Sequence, residues 1–168
     1  MHEPDVAALR AESAIRAVVL RYCRAIDRRD FELLRSCYHP DATDEHGSFS
    51  GTVEEYVEWV RPLLAKYSMT MHFVGNLLVE LDAPDRARVE TYGIAVHRGD
   101  PSEPAQNLTT GFRFVDRFER RSEPGDWRIA RRIATTEWSR VDDPSGWWEP
   151  PASFRRGTDG PDDALFLI

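Results

Sequence analysis

Apolar residues recur at helical spacing from the start of the chain. After Asp5, a plausible N-cap, come Leu9, Ile15, Val18, Val19, Tyr22 and Ile26. The stripe ends at Asp27-Arg28-Arg29. Asp30 caps a short second helix predicted over Phe31 to Tyr38, with Leu33, Leu34 and Cys37 inward and Pro40 as its stop. A short polar strand or loop follows from Ala42 to His46, then a glycine-bounded segment from Gly47 to Gly51. Thr52-Val53-Glu54-Glu55 reads as a capping box. The helix it opens has a buried stripe of Val53, Tyr56, Val57, Val60, Leu63, Leu64 and Tyr67. Pro62 should kink that helix or end its regular part near Arg61.

Beyond Ser68 the period changes to two. Met71, Phe73, Leu77, Val79 and Leu81 are expected on one strand face, with Thr70, His72, Val74, Asn76 and Leu78 on the other. Turn chemistry at Asp82-Ala83-Pro84-Asp85 leads to a second long strand, Arg86 to His97. A loop from Gly99 to Asn107 leads to a third, Leu108 to Arg121, and a turn over 122–126 to a fourth, Trp127 to Arg140. Helices followed by a long meander predict an α+β fold. A strongly twisted sheet of such strands must curl, and helices on its concave face make a cone with one open mouth, a natural small-molecule pocket. From Asp142 onward Pro and Gly dominate, so residues 1–141 are expected to form the domain and 142–168 a tail. Trp147, Trp148 and Phe154 then pack on the sheet's outer face or close over the mouth. The apolar end, Ala164 to Ile168, should dock on its own subunit or on a neighbour.

Composition narrows the partners. The 168 residues suit one domain. A net charge of -7 argues against nucleic acid as a general partner. The arginines at 120–121 and at 128, 131 and 132 read as a solvated strand face. Cys23 and Cys37 fit buried free thiols better than a disulfide or a zinc site. No apolar run reaches membrane-spanning length, and Met1 to Asp5 shows no signal-peptide pattern. The expectation is a cytoplasmic protein with no membrane partner. His39, Asp41, Asp44, Glu45 and His46 lie in one loop without helical or ribbon spacing, so no metal is assigned to them.

Two residues do not fit a purely structural account. An acid at a helix C-terminus opposes the helix dipole unless a cation or donor faces it, and Asp27 stands there. His72 interrupts an otherwise apolar strand and needs a partner for its second ring nitrogen. Should the two meet, the carboxylate orients the imidazole and the imidazole takes protons.

The segments Tyr22 to Phe31, Tyr38 to Ala42, Gly51 to Glu55 and His72 to Asn76, in this order and spacing, resemble the SnoaL-like branch of the NTF2-like superfamily. The resemblance spans roughly Ala8 to Arg140 and is strongest to the scytalone dehydratase, bile-acid 7α-dehydratase and hexachlorocyclohexane dehydrochlorinase group. It implies an NTF2-like cone, with N-terminal helices packed on a curved, mainly antiparallel sheet. It also implies a dyad of His72 and Asp27, a second pocket histidine at His97, and Tyr22 as a polar partner five residues before the acid. Ile26 stands where scytalone dehydratase carries a tyrosine, a departure from that enzyme's water-activating pattern.

On this reading the protein is a cofactor-independent lyase of dehydratase type, acting on a cyclic, largely apolar small molecule. His72, Asp27, Tyr22 and His97 are the catalytic candidates. Asn76, His46, Thr136 and Trp138 are the substrate-binding candidates, the last two sharing a face of the final strand. His97 or His46 would protonate a departing hydroxide. A homo-oligomer, trimer or dimer, is implied by the same resemblance. An isomerase or aldol-type cyclase would use the same base. A non-catalytic small-molecule binder or a dioxygenase small-subunit-like protein shares the fold.

Overall fold

The computed structural model describes residues 5–122, 126–160 and 162–168. The turn expected over 122–126 falls largely outside them. Helix α1 spans Val6–Arg28, and the Asp5 side chain accepts from the Ala7 amide at its start. Its buried face carries Ile15, Val18, Val19, Tyr22 and Ile26, as the spacing required, whereas Leu9 is half exposed. At its end Arg29 adopts a left-handed conformation, φ 53°, and its amide closes the last turn on Ala25 and Ile26.

Helix α2 is shorter than predicted, Phe31–Ser36. Tyr38 instead opens strand β1, Tyr38–His46, because β6 claims it: Tyr38 pairs with Ile129, and the Ile129 amide donates to the Cys37 carbonyl. Pro40 is tolerated within β1 because the ladder to β6 is irregular between Tyr38 and Thr43. Strand β2, Phe49–Thr52, folds back on β1. Helix α3, Val53–Leu64, begins with the full capping box between Thr52 and Glu55. It runs three residues past Arg61, since Pro62 sits in its last turn, where one lost backbone bond matters little.

Four long strands follow: β3 Met69–Ala83, β4 Arg86–Arg98, β5 Leu108–Arg120 and β6 Trp127–Val141. With β1 and β2 they form one six-stranded sheet in the order β2-β1-β6-β5-β4-β3. Among the described residues only the β1–β6 pair is parallel. This is the α+β, NTF2-like architecture, with the helices on the concave side. Phe112, Phe114 and Phe118 of β5 and Ala87, Val89 and Ala95 of β4 meet α1 and α3 in one continuous core.

Two bulges break the even alternation read from the sequence. On β3, Gly75 and Asn76 fall between the pairs Val74–Gly93 and Leu77–Thr91. Thr70, His72 and Val74 face inward before the bulge, Leu77 and Val79 after it, and Asn76 is exposed. On β6, Glu137 is the extra residue between the pairs Phe112–Thr136 and Gly111–Trp138. Thr136 and Trp138 therefore lie on opposite faces, contrary to expectation.

The tail, 142–168, forms two short 3-10 turns and runs back along the C-terminal end of α1. The residue it buries is Asp163, held by the Thr158 and Leu165 amides and paired with Arg28 at 3.5 Å. The apolar end expected to dock, Leu165 to Ile168, is exposed on this chain. Among the described residues no helix is long and apolar enough to cross a membrane.

Candidate active site

Helix α1 delivers Asp27 to the inward face of β3. Its Oδ1 accepts from His72 Nδ1 at 2.7 Å, and its Oδ2 accepts from the His72 backbone N–H at 2.9 Å. Both donors belong to one residue, so the carboxylate sets the ring's orientation and its tautomer together. The acid at the helix end is explained: the two donors offset the unfavourable dipole. The side chains are 9% and 13% exposed, His72 and Asp27 respectively, which keeps water from competing while leaving access. Nδ1–H bonded to the carboxylate leaves Nε2 as the basic nitrogen.

The His72 ring meets His97 edge-on at 5.9 Å and Phe112 at 5.7 Å. His97, cross-strand from Thr70, also packs on Tyr67 at 4.7 Å. Burial, followed by the neighbouring His72, lowers the His97 pKa to about 4. At neutral pH His97 is therefore an uncharged donor or acceptor beside the dyad, not a reservoir of protons. A cavity of about 440 Å³ reaches Asp27 and His72, walled by Leu20, Cys23, Val74 and the tail's Leu165. Cys23 and Cys37 are free and buried, as expected, and burial pushes the Cys23 thiol up to about 12.

A second polar group lies deeper in the cone. Arg132 and Asp116, both 0% exposed on their side chains, form a two-point ion pair at 2.8 and 2.7 Å. The guanidinium lies 4.0 Å from the Tyr22 ring centre and 3.9 Å from that of Phe114. Burial alone pulls the Arg132 pKa down; Asp116 and the surrounding phenols more than reverse this and hold it well above its usual value. Burial raises the Asp116 carboxyl, with Arg132 opposing. Tyr22 donates to or accepts from Tyr56 at 2.7 Å, and Tyr38 donates to Asp44 at 2.6 Å. His46 lies 3.4 Å from Asp44 and stacks on Tyr56 at 5.3 Å.

The predicted residues thus divide. Asp27, His72 and His97 come together. Tyr22 and His46 join the deeper group, linked to the first through the Phe112–Phe114 pair, whose centres are 4.4 Å apart. Asn76, exposed in its bulge, has left the His72 face. Thr136 is exposed opposite Phe112, and Trp138 lies across Gly111 on the far side of the sheet. Arg132 and Asp116 were missed. The arginine cluster makes Arg132 look solvated, but Asp116 alternates in phase with Phe112, Phe114 and Phe118, a charge on a core face that demands a partner.

A sequence profile of the SnoaL-like domain matches residues 7–133. The chain belongs to the SnoaL-like family. An uncharacterised protein of Mycobacterium tuberculosis is 30% identical over 135 residues, covering 78% of this chain and 88% of its own. Among solved structures, a hexachlorocyclohexane dehydrochlorinase from Novosphingobium barchaimii superposes with a TM-score of 0.75 at 18% identity, over 88% of this chain and 99% of that one. A protein provisionally named scytalone dehydratase from Novosphingobium aromaticivorans gives 0.71 at 20% identity, over 85% and 98%. At these identities the structural likeness shows a shared SnoaL-like fold.

Proposed function

We propose that this SnoaL-like protein is a cofactor-independent lyase of dehydratase type, acting on a cyclic, largely apolar small molecule such as a polyketide, steroid or aromatic intermediate. The observation that carries the reading is the double grip of Asp27 on His72 beside a 440 Å³ cavity. His72 Nε2 takes a proton from carbon beside a carbonyl, and Asp27 offsets the charge of the imidazolium. The imidazolium then returns that proton to the departing hydroxide. One C–H and one C–O bond break, and a C=C bond and water form. His97 is uncharged at neutral pH, so its part is a hydrogen bond to the substrate oxygen rather than delivery of the proton.

Two observations support the class of substrate. Leu20, Phe73, Val74 and Leu165 form the apolar part of the cavity wall, alongside the charged Arg24, Arg28 and Asp163, and the His72 ring packs on Phe112. Structural neighbours of the same fold are named for dehydration and dehydrochlorination, and elimination is a step that this dyad suits. An isomerase or cyclase would use the same base, and Ile26, buried where a phenol would assist a leaving hydroxide, favours keeping that second reading.

The test is turnover of a panel of cyclic β-hydroxy ketones, followed by the absorbance of the enone formed. His72→Ala is expected to abolish turnover and Asp27→Asn to lower it by about 10²–10⁴-fold, while circular dichroism and melting stay native-like. Full activity in either variant ends the proposal.

A further inference from the structure

Five residues of α1 line the cavity beside the dyad: Leu20, Cys23, Arg24, Asp27 and Arg28. Their three- and four-residue steps make one helix face, so Arg24 stands one turn before Asp27. We propose that the ligand of this cavity is an acid, and that Arg24 binds its carboxylate at the mouth. That the acid is a substrate rests on the lyase reading; that it binds does not.

Both carboxylates lining the cavity are already committed. Asp27 accepts from two donors of His72, one on each oxygen. Asp163 accepts from the Leu165 amide on Oδ1 and from the Thr158 amide on Oδ2, and the same Oδ2 pairs with Arg28. Its side chain is 6% exposed, which shields an incoming anion from its charge. Arg24 lines the same space, is exposed, and makes neither an ion pair nor a hydrogen bond among the described residues. The helix would offer it Asp27, three positions on, but that acid has turned to His72. What the helix gives Arg24 instead is Arg28, a like charge four positions on, and like charges at that spacing repel. A bound anion removes the repulsion and supplies the missing partner.

The remaining wall fits the rest of such a molecule. Leu20, Phe73, Val74 and Leu165 are apolar, and His72 stands among them. Side chains one helical turn apart begin about 5–6 Å from each other, so an acid group on Arg24 leaves a ring's width to the imidazole that Asp27 holds. A carboxylate suits the guanidinium because its two oxygens match the fork and its single charge matches the one free cation. A phosphate would bring a second negative charge close to Asp27 and Asp163.

Isothermal titration calorimetry on the full chain tests this, with 2-naphthoate as the acid and 2-naphthamide as its uncharged counterpart. The parent is expected to bind 2-naphthoate at least about tenfold more tightly. Arg24→Gln should erase that preference and leave 2-naphthamide within about twofold of the parent. Arg24→Lys, which keeps the charge without the fork, should recover part of the loss. Arg16→Gln, an exposed arginine of the same helix outside the cavity, should change neither affinity. Added salt should weaken 2-naphthoate alone. Failure of 2-naphthoate to bind, equal affinities for the two compounds in the parent, or an Arg24→Gln loss no greater than that of Arg16→Gln would overturn the site. A chain that binds the acid through Arg24 but eliminates nothing counts against the lyase reading alone. One that dehydrates neutral hydroxy ketones yet binds the two naphthyl compounds equally counts against the carboxylate site alone.

Discussion

The carboxylate of Asp27 spans two donors of a single residue, taking Nδ1–H of His72 on one oxygen and its backbone N–H on the other. This ties the end of the first helix to the edge strand of the sheet at the atom pair on which the proposed chemistry depends. Nitrogen-15 spectra of the imidazole should show Nδ1 protonated and Nε2 bare near neutral pH. In Asp27→Asn the carboxamide is expected to loosen this preference and to lower turnover by about 10²–10⁴-fold. A ring found with its proton on Nε2 in the parent would remove the base from the mechanism.

Removing one partner of the Arg132–Asp116 pair should be far worse than removing both. Asp116→Leu alone leaves a guanidinium with no counter-charge at a fully buried position, at a cost of about 3–5 kcal/mol. Arg132→Met combined with Asp116→Leu is expected to recover most of that loss. Urea denaturation of the two single variants and the double variant closes the cycle. Additive losses would mean that the pair is not coupled.

His97 makes folding sensitive to mild acid. Its pKa falls from 6.5 to about 4 on burial, so the unfolded chain binds the proton more tightly. The stability tied to neutral His97 is present in full above about pH 6.5 and declines as pH drops toward 4, by up to about 3 kcal/mol. Comparing the parent with His97→Phe at pH 7 and pH 5 isolates this contribution from the carboxylates. The parent should lose more stability than the variant over that interval, and equal losses would refute the assignment.

A methyl group at Gly93 should reach the active site. Gly93 pairs with Phe112 across β4 and β5, and a Cβ there would overlap the Phe112 ring, which in turn packs on His72. Gly93→Ala is expected to cost about 1–3 kcal/mol and to lower turnover by displacing the ring that borders the base. Gly75→Ala, where a Cβ meets nothing within 4 Å, is the control for the loss of a glycine in a strand. Equal effects at both positions would show that the Phe112 contact is irrelevant.

Local patterning and chain order determined much of this protein. The stripe from Ile15 to Ile26, the capping box at Thr52, and the boundaries of β4, β5 and β6 to within a residue were legible, because helix and strand periods, caps and turn residues act over short range. The SnoaL-like family and its α+β cone followed from the order of short motifs. What only the tertiary structure decided depends on ladder register and long-range partners. One extra residue at Asn76 and another at Glu137 reversed which side chains face inward, and nothing in the alternation itself announced them. Tyr38 left its helix because β6 offered it a pairing from 91 positions away, at Ile129. Arg132 looks like any surface arginine until Asp116 is seen beside it, since the burial of a charge is decided by its counter-charge and not by its own neighbours in the chain.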